Sequence, residues 1–224
     1  MATLGKGFFV TSWLHYEIAT RAYEKSKAKC SLHEALINGY TAVVFSACSL
    51  EGFVNEIAEA SLLQPFINDP IARRLSNLVR ETDDWKPSRW MKFMLAYIAI
   101  TGDKYDRGKL PYQDMELLFE LRNQVVHPKP RSRAEWNPAE ITVTHPQNLI
   151  DRLSTRGVWR HPPKEQLMHP PLFDWTEGFV SPDLERWACT TAVNIIHDLA
   201  KGIPDGHLKT LVSGYIDKVF KPVL

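Results

Sequence analysis

Residues Ser31–Ala60 read SLHEALINGYTAVVFSACSLEGFVNEIAEA, and the fold is decided there. Ser31 followed three residues later by Glu34 is a capping-box signature. Beyond it Leu32, Leu36, Tyr40, Val43, Ala47, Leu50, Val54 and Ala58 recur at three- and four-residue steps, the period of an α-helix. Gly39 alone weakens this stripe, by about 1 kcal/mol relative to alanine. Ala42–Ala60 is so rich in Ala, Val, Phe, Leu and Ile that it belongs at the centre of a helical bundle, with Ser46, Glu51 and Asn55 as polar exceptions. Glu51 with Asn55 is expected to make an internal polar contact tying two helices together. The most apolar part, Ala42–Leu50, holds two serines and a cysteine and runs into Glu51, well short of the ~20 residues that span a bilayer.

Helical spacing extends in both directions. Upstream, Trp13, Tyr16, Ala19, Ala22 and Tyr23 predict an amphipathic helix from Ser12; before it, Lys6 and the short patch Phe8–Val10 do not make a signal peptide. Downstream, Pro65, Asp69 and Pro70 end the central helix, and Ile71–Val79 predicts a short helix before an acidic turn, Glu81–Asp84. The dense run Trp90–Ile100 predicts a helix buried on more than one face, partly by another subunit, its methionines and aromatics being core. A helix from near Tyr112 buries Met115, Leu118, Leu121 or the stem of Arg122, and Val125; Pro146–Arg156 predicts another short one. Arg156–Pro182 reads as an irregular excursion packed by Trp159, Phe173, Trp175 and Phe179. Ser181 as cap and Pro182 at the first helical position open a helix that runs to Gly202, and Asp205 begins a last one. Only Ile141–Thr144 alternates like a strand, and there is no repeat, low-complexity tract or glycine-rich phosphate loop. The expectation is one all-α domain over residues 1–224, a bundle of about six or seven helices. Its motif-bearing core spans about 12–127, the C-terminal helices 182–221 pack on it, and an irregular insertion lies near 156–182.

Composition limits what such a domain does. A formal charge of +1 argues against a general nucleic-acid binder, which shows a basic excess or a basic face, but leaves room for a local site. Cys30, Cys48 and Cys189 are too few and too far apart for a disulfide framework or a paired-cysteine zinc site, which favours a reducing cytoplasm. His145, His161 and His169 each adjoin or precede proline, and none stands at ligand spacing from a second histidine or a carboxylate, so no metal and no cofactor is expected.

The chemistry concentrates in Leu121–His127, Leu-Arg-Asn-Gln-Val-Val-His, closed by Pro128. Arg122 is a permanent forked cation, His127 a proton carrier near neutral pH, and Asn123 a donor and acceptor one helical turn before it. Asn123 and His127 share a face at i and i+4, whereas Arg122 lies farther round and must reach across. A helix terminus also favours these residues: the macrodipole attracts arginine and histidine, and proline beyond is an ordinary stop. Lys129, Arg131 and Arg133 follow in a basic loop beside the motif, either solvated or in contact with phosphate.

Together, Ser49-Leu50-Glu51-Gly52-Phe53-Val54-Asn55-Glu56 and Leu121–His127 resemble the HEPN superfamily, over roughly Ser31–His127. The resemblance implies an all-α bundle with an Arg-polar-x-x-x-His motif. Many members are metal-independent endoribonucleases, several being toxins or defence components, with the site formed where two motifs meet across a homodimer. It assigns the catalytic roles to Arg122, Asn123 and His127, with Glu51 and Asn55 in support, RNA as substrate and an antitoxin or other protein as a further partner. Members that cleave nothing also exist. For this chain that alternative is a dimerisation, nucleotide-binding or partner-binding module in which Arg122 pairs with Glu51 and His127 caps its helix.

Overall fold

The computed structural model describes residues 11–28, 30–61, 69–85, 89–127, 146–160, 175–179 and 181–223. Among them are eight α-helices and no strand: α1 Ser12–Ser26, α2 Leu32–Ala60, α3 Pro70–Trp85, α4 Arg89–Thr101, α5 Tyr112–Val126, α6 Gln147–Thr155, α7 Asp183–Gly202 and α8 His207–Val219. The all-α expectation holds, and the short helices expected at Ile71–Val79 and Pro146–Arg156 are among the eight. Ile141–Thr144 lies outside the described residues. Among the described residues, no helix is long and apolar enough to cross a membrane.

The capping box that starts α2 forms in both directions. Glu34 N–H donates to Ser31 Oγ at 3.3 Å and Ser31 N–H to Glu34 Oε2 at 2.8 Å; the Ser31 N–H and then its hydroxyl, both donating to Glu34 Oε2, hold that carboxyl below its ordinary range. Ala42, Val43, Ala47, Leu50 and Phe53 of α2 are fully buried, so this helix is the spine. Helix α1 runs antiparallel to it, since its first residue, Ser12, meets the last third of α2. A Cβ on Gly52 would stand 3.2 Å from Ser12 Cα, so only glycine allows this approach without a shift. One turn on, Glu56 accepts from Ser12 N–H at 2.7 Å, from Thr11 N–H, and from the Ser12 hydroxyl. Thr11, the N-cap residue, makes no side-chain cap of its own, and the N–H groups of Thr11 and Ser12 at the start of α1 are satisfied by a carboxylate from α2. Asn55 is exposed and Glu51 half-buried, and the buried carboxylate tying two helices is Glu56, one step round the helix from Asn55.

Helix α7 runs parallel to α2: Leu184 packs beside Gly39, and farther along both helices the Ser46 hydroxyl donates to Cys189 Sγ at 3.8 Å. The C-terminal segment closes over α1. Tyr16 donates to Lys221 O at 2.6 Å, and Phe220 is buried among the rings of Tyr16, Phe53 and Tyr215. Buried side chains from α1 through α8 form one continuous cluster.

Several boundaries differ from the sequence expectations. Asp69 caps α3 through Ile71 N–H at 2.8 Å, with Pro70 at the first helical position; α3 then continues through Glu81–Asp84, because no glycine or proline stands there to end it. Helix α4 turns Phe93, Ala96, Ala99 and Ile100 to the core and leaves Met91 exposed. Helix α7 begins at Asp183, so Pro182 takes the N-cap position and Ser181 Oγ accepts from Asp183 N–H at 3.2 Å. Helix α8 begins at His207, after Gly206, rather than at Asp205. Of the aromatics expected to pack the excursion, Trp159 donates to Trp175 O at 2.7 Å and Phe179 is buried, while Phe173 lies outside the described residues. A 3-10 turn, Trp175–Gly178, carries this contact.

Candidate active site at the end of helix α5

Helix α5 is anchored at its start by Tyr112, whose hydroxyl donates to Asp198 of α7. Burial first, then this bond, pushes the Tyr112 phenol well above its ordinary range, so it remains a donor. Along α5, Met115, Leu118 and Leu121 are fully buried, as their spacing requires. The helix ends at His127 because Pro128 follows, and a residue before proline is driven out of the α region. His127 accordingly takes φ −126°, ψ 63°, while its N–H still donates to Asn123 O at 2.9 Å.

Arg122 continues the buried stripe and is only 8 % exposed. Its Nη1 donates to Asn123 Oδ1 at 3.1 Å, and its Nε is buried with no acceptor among the described residues. Asn123 and His127 are exposed on one face, a turn apart. The structure thus joins Arg122 to Asn123 by side chains and Asn123 to His127 by backbone and face. The imidazole is open to solvent instead of packed among apolar side chains. A desolvated cation is screened less than an exposed one and acts more strongly on a charge brought beside it. The arrangement supplies a fixed positive group, a neutral amide that orients it, and an accessible proton carrier.

The other candidates are more dispersed. Glu51 and Asn55 lie on α2, which packs against α5. Lys129, Arg131, Arg133, His145, His161 and His169 lie outside the described residues. Among those described, no three His, Cys, Asp or Glu residues are grouped to hold a metal ion. No disulfide joins the three cysteines, and burial pushes the Cys189 thiol up to about 12, which leaves it no thiolate for nucleophilic chemistry near neutral pH. Sequence reasoning missed the arginines arrayed along α5. Arg152 bonds Glu120 at 2.5 Å, Arg156 bonds Asp114 at 2.6 Å, and Arg107 bonds Glu116 at 2.6 Å. These pairings join residues far apart in the chain, and no local pattern announces them.

Comparison of the chain with protein-family models, with curated proteins and with solved structures finds no match in any of the three.

Proposed function

We propose that the chain is a metal-independent endoribonuclease of the HEPN kind, working as a homodimer. The observation that carries this reading is Arg122: a buried guanidinium, held by an amide, with a buried Nε that has no acceptor among the described residues, beside an exposed histidine. A buried cation is expensive unless something of opposite charge meets it, and a buried unsatisfied donor calls for an explanation. A phosphodiester arriving at the end of α5 brings that opposite charge to the guanidinium.

RNA carries its own nucleophile. His127 takes the proton of the ribose 2′-hydroxyl as that oxygen bonds to phosphorus. The bond from phosphorus to the 5′-oxygen breaks, and the leaving oxygen takes a proton from His127 of a second copy. Arg122 neutralises the charge that grows on the non-bridging oxygens, and Asn123 keeps the guanidinium in place. The products are a 2′,3′-cyclic phosphate and a free 5′-hydroxyl. The toxin or defence role belongs to the same proposal.

The test is incubation with mixed RNA in excess chelator, with end-group analysis of the products. Wild-type protein is expected to give the cyclic phosphate; His127→Ala and Arg122→Lys, the second keeping the charge and losing the fork, are expected to lose cleavage and keep the wild-type circular dichroism. Cleavage that persists in His127→Ala sinks the mechanism. Absence of cleavage together with co-purification of a protein partner favours the non-catalytic module.

A further inference from the structure

The face of α5 that carries Asn123 and His127 continues back toward the helix start through Glu120, Glu116 and Gln113, at steps of three and four. An arginine from another element engages each. Arg152 of α6 holds Glu120, Arg107 before α5 holds Glu116, and Arg156 beyond α6 holds both Gln113, at 3.0 Å, and Asp114. Arg107, Arg152 and Arg156 line a cleft of about 350 Å³. Arg156 also lines the adjoining cleft of about 600 Å³, where Arg160 and Arg186 join it at the start of α7. There a single carboxylate, Asp183, serves both Arg160, at 3.5 Å, and Arg186, at 2.8 Å. Among the described residues, these five guanidinium groups thus stand along one surface against four carboxylates, Asp114, Glu116, Glu120 and Asp183.

The pairs made by the more exposed arginines are easily exchanged. The side chains of Arg160, Arg107 and Arg186 are 72 %, 57 % and 56 % exposed, and an exposed pair contributes only about 0–1 kcal/mol. Each guanidinium has five N–H donors in a planar fork, and a carboxylate that occupies one or two of them fixes the direction of the others. Donors held in place in this way suit phosphate, whose oxygens match the fork. The same face leads on to Asn123 and His127, which ties the arginines to the reacting linkage of an RNA strand rather than to a separate protein partner.

We propose that this face is the track on which a single-stranded RNA lays its phosphates as it passes to His127; the proposal rests on the endoribonuclease reading and specifies its substrate. By helical rise Glu120 stands about 10 Å from His127 and Gln113 about 21 Å, so the track and the reacting linkage lie within the reach of one short strand.

The test measures binding of a fluorescently labelled, unstructured RNA by anisotropy, in a His127→Ala background and in chelator, so that binding is read without cleavage. Arg160→Gln with Arg186→Gln is expected to weaken binding about tenfold and to flatten the slope of log K against log salt by roughly 1.4, at about 0.7 per phosphate contact on a single strand. Glu116→Gln with Glu120→Gln, which releases Arg107 and Arg152, is expected to tighten binding, a change of sign that a purely structural role for these pairs does not produce. Unchanged affinity in both double variants, or displacement of the RNA by polyglutamate at equal charge concentration, overturns the track. Unchanged RNA cleavage by Arg160→Gln with Arg186→Gln in the wild-type background overturns the track alone and leaves the nuclease standing. Tight, salt-dependent binding by a protein that never cleaves overturns the nuclease and leaves the track.

Discussion

Arg122 and Asn123 are neighbours in the chain, and their side chains are bonded to each other, Nη1 to Oδ1 at 3.1 Å. Successive helical positions diverge by about 100°, so the guanidinium bends from the buried side of α5 toward the face that carries His127. Asn123→Ala removes the acceptor and is expected to lower RNA cleavage by about 10- to 100-fold, the worth of a hydrogen bond to a charged group. Asn123→Asp sets a carboxylate against the same cation and is expected to lower cleavage further while leaving unfolding by urea unchanged or later. Single-turnover rates beside urea midpoints check both, and an Asn123→Asp protein as active as wild type contradicts the role assigned to Arg122.

Glu56 is the cap of a helix to which it does not belong, and its removal should be felt in α1 before anywhere else. Glu56→Ala strips acceptors from Thr11 and Ser12 and is expected to cost roughly 2–4 kcal/mol, combining a lost cap with buried donors left unsatisfied. Amide hydrogen exchange read segment by segment should show α1 losing protection while α5 and α7 keep theirs. Uniform loss would mean that the bond serves the core as a whole.

The contrast between Glu34 and Glu56 shows how much of this molecule can be read from its sequence. Glu34 acts three residues from Ser31, so the capping box was legible, as were the buried stripes of α2 and α5, whose periods are local. Glu56 acts on residues 44 and 45 positions away, and Arg152 and Arg156 meet carboxylates 32 and 42 positions away, which no window of sequence reveals. Polarity at Glu51 and Asn55 drew attention to α2, but the tie that Glu56 makes to the start of α1 was not read from it. In Leu121–His127 the residue types were legible. Burial of the Arg122 stem was one of the two readings of the stripe, but the unsatisfied Nε was not legible, because it depends on how α5 sits against the rest of the bundle.

Glu185 gives the fold a dependence on pH. It is 1 % exposed, its Oε2 has no partner among the described residues, and burial pushes its carboxyl up to about 7 against the opposing hydrogen bonds from its own backbone and Ser26. A carboxyl whose folded value is raised binds its proton more tightly when folded. The stability it contributes is therefore full below the unfolded value of 4.5 and is lost as pH rises through about 7. Glu185→Gln should remove a penalty on the order of 3 kcal/mol at pH 8 and flatten the dependence between pH 5 and 7. Urea midpoints at pH 5, 6, 7 and 8 for both proteins provide the check, and parallel curves would refute it.

Gly178 ends the 3-10 turn under the ring of Trp159, where an added Cβ would stand 2.1 Å from Nε1. Gly178→Ala is therefore expected to displace the indole and break its bond to Trp175 O, destabilising by about 1–3 kcal/mol through overpacking. Trp159→Phe, which removes that bond and shrinks the ring, should absorb much of the effect, so a double-mutant cycle ought to show coupling. Additive losses would place the strain elsewhere.

The bond from Thr11 to Glu56 also bears on synthesis. The first turn of α1 is made 45 residues before the carboxylate that completes it. At about 5–20 residues per second, a ribosome leaves that turn open for roughly 2–9 s. During that interval α1 has an unfinished end, and the smallest unit of the nascent chain with its caps in place is the α1–α2 pair. Every copy thus begins life with its N-terminal helix dependent on a residue not yet translated.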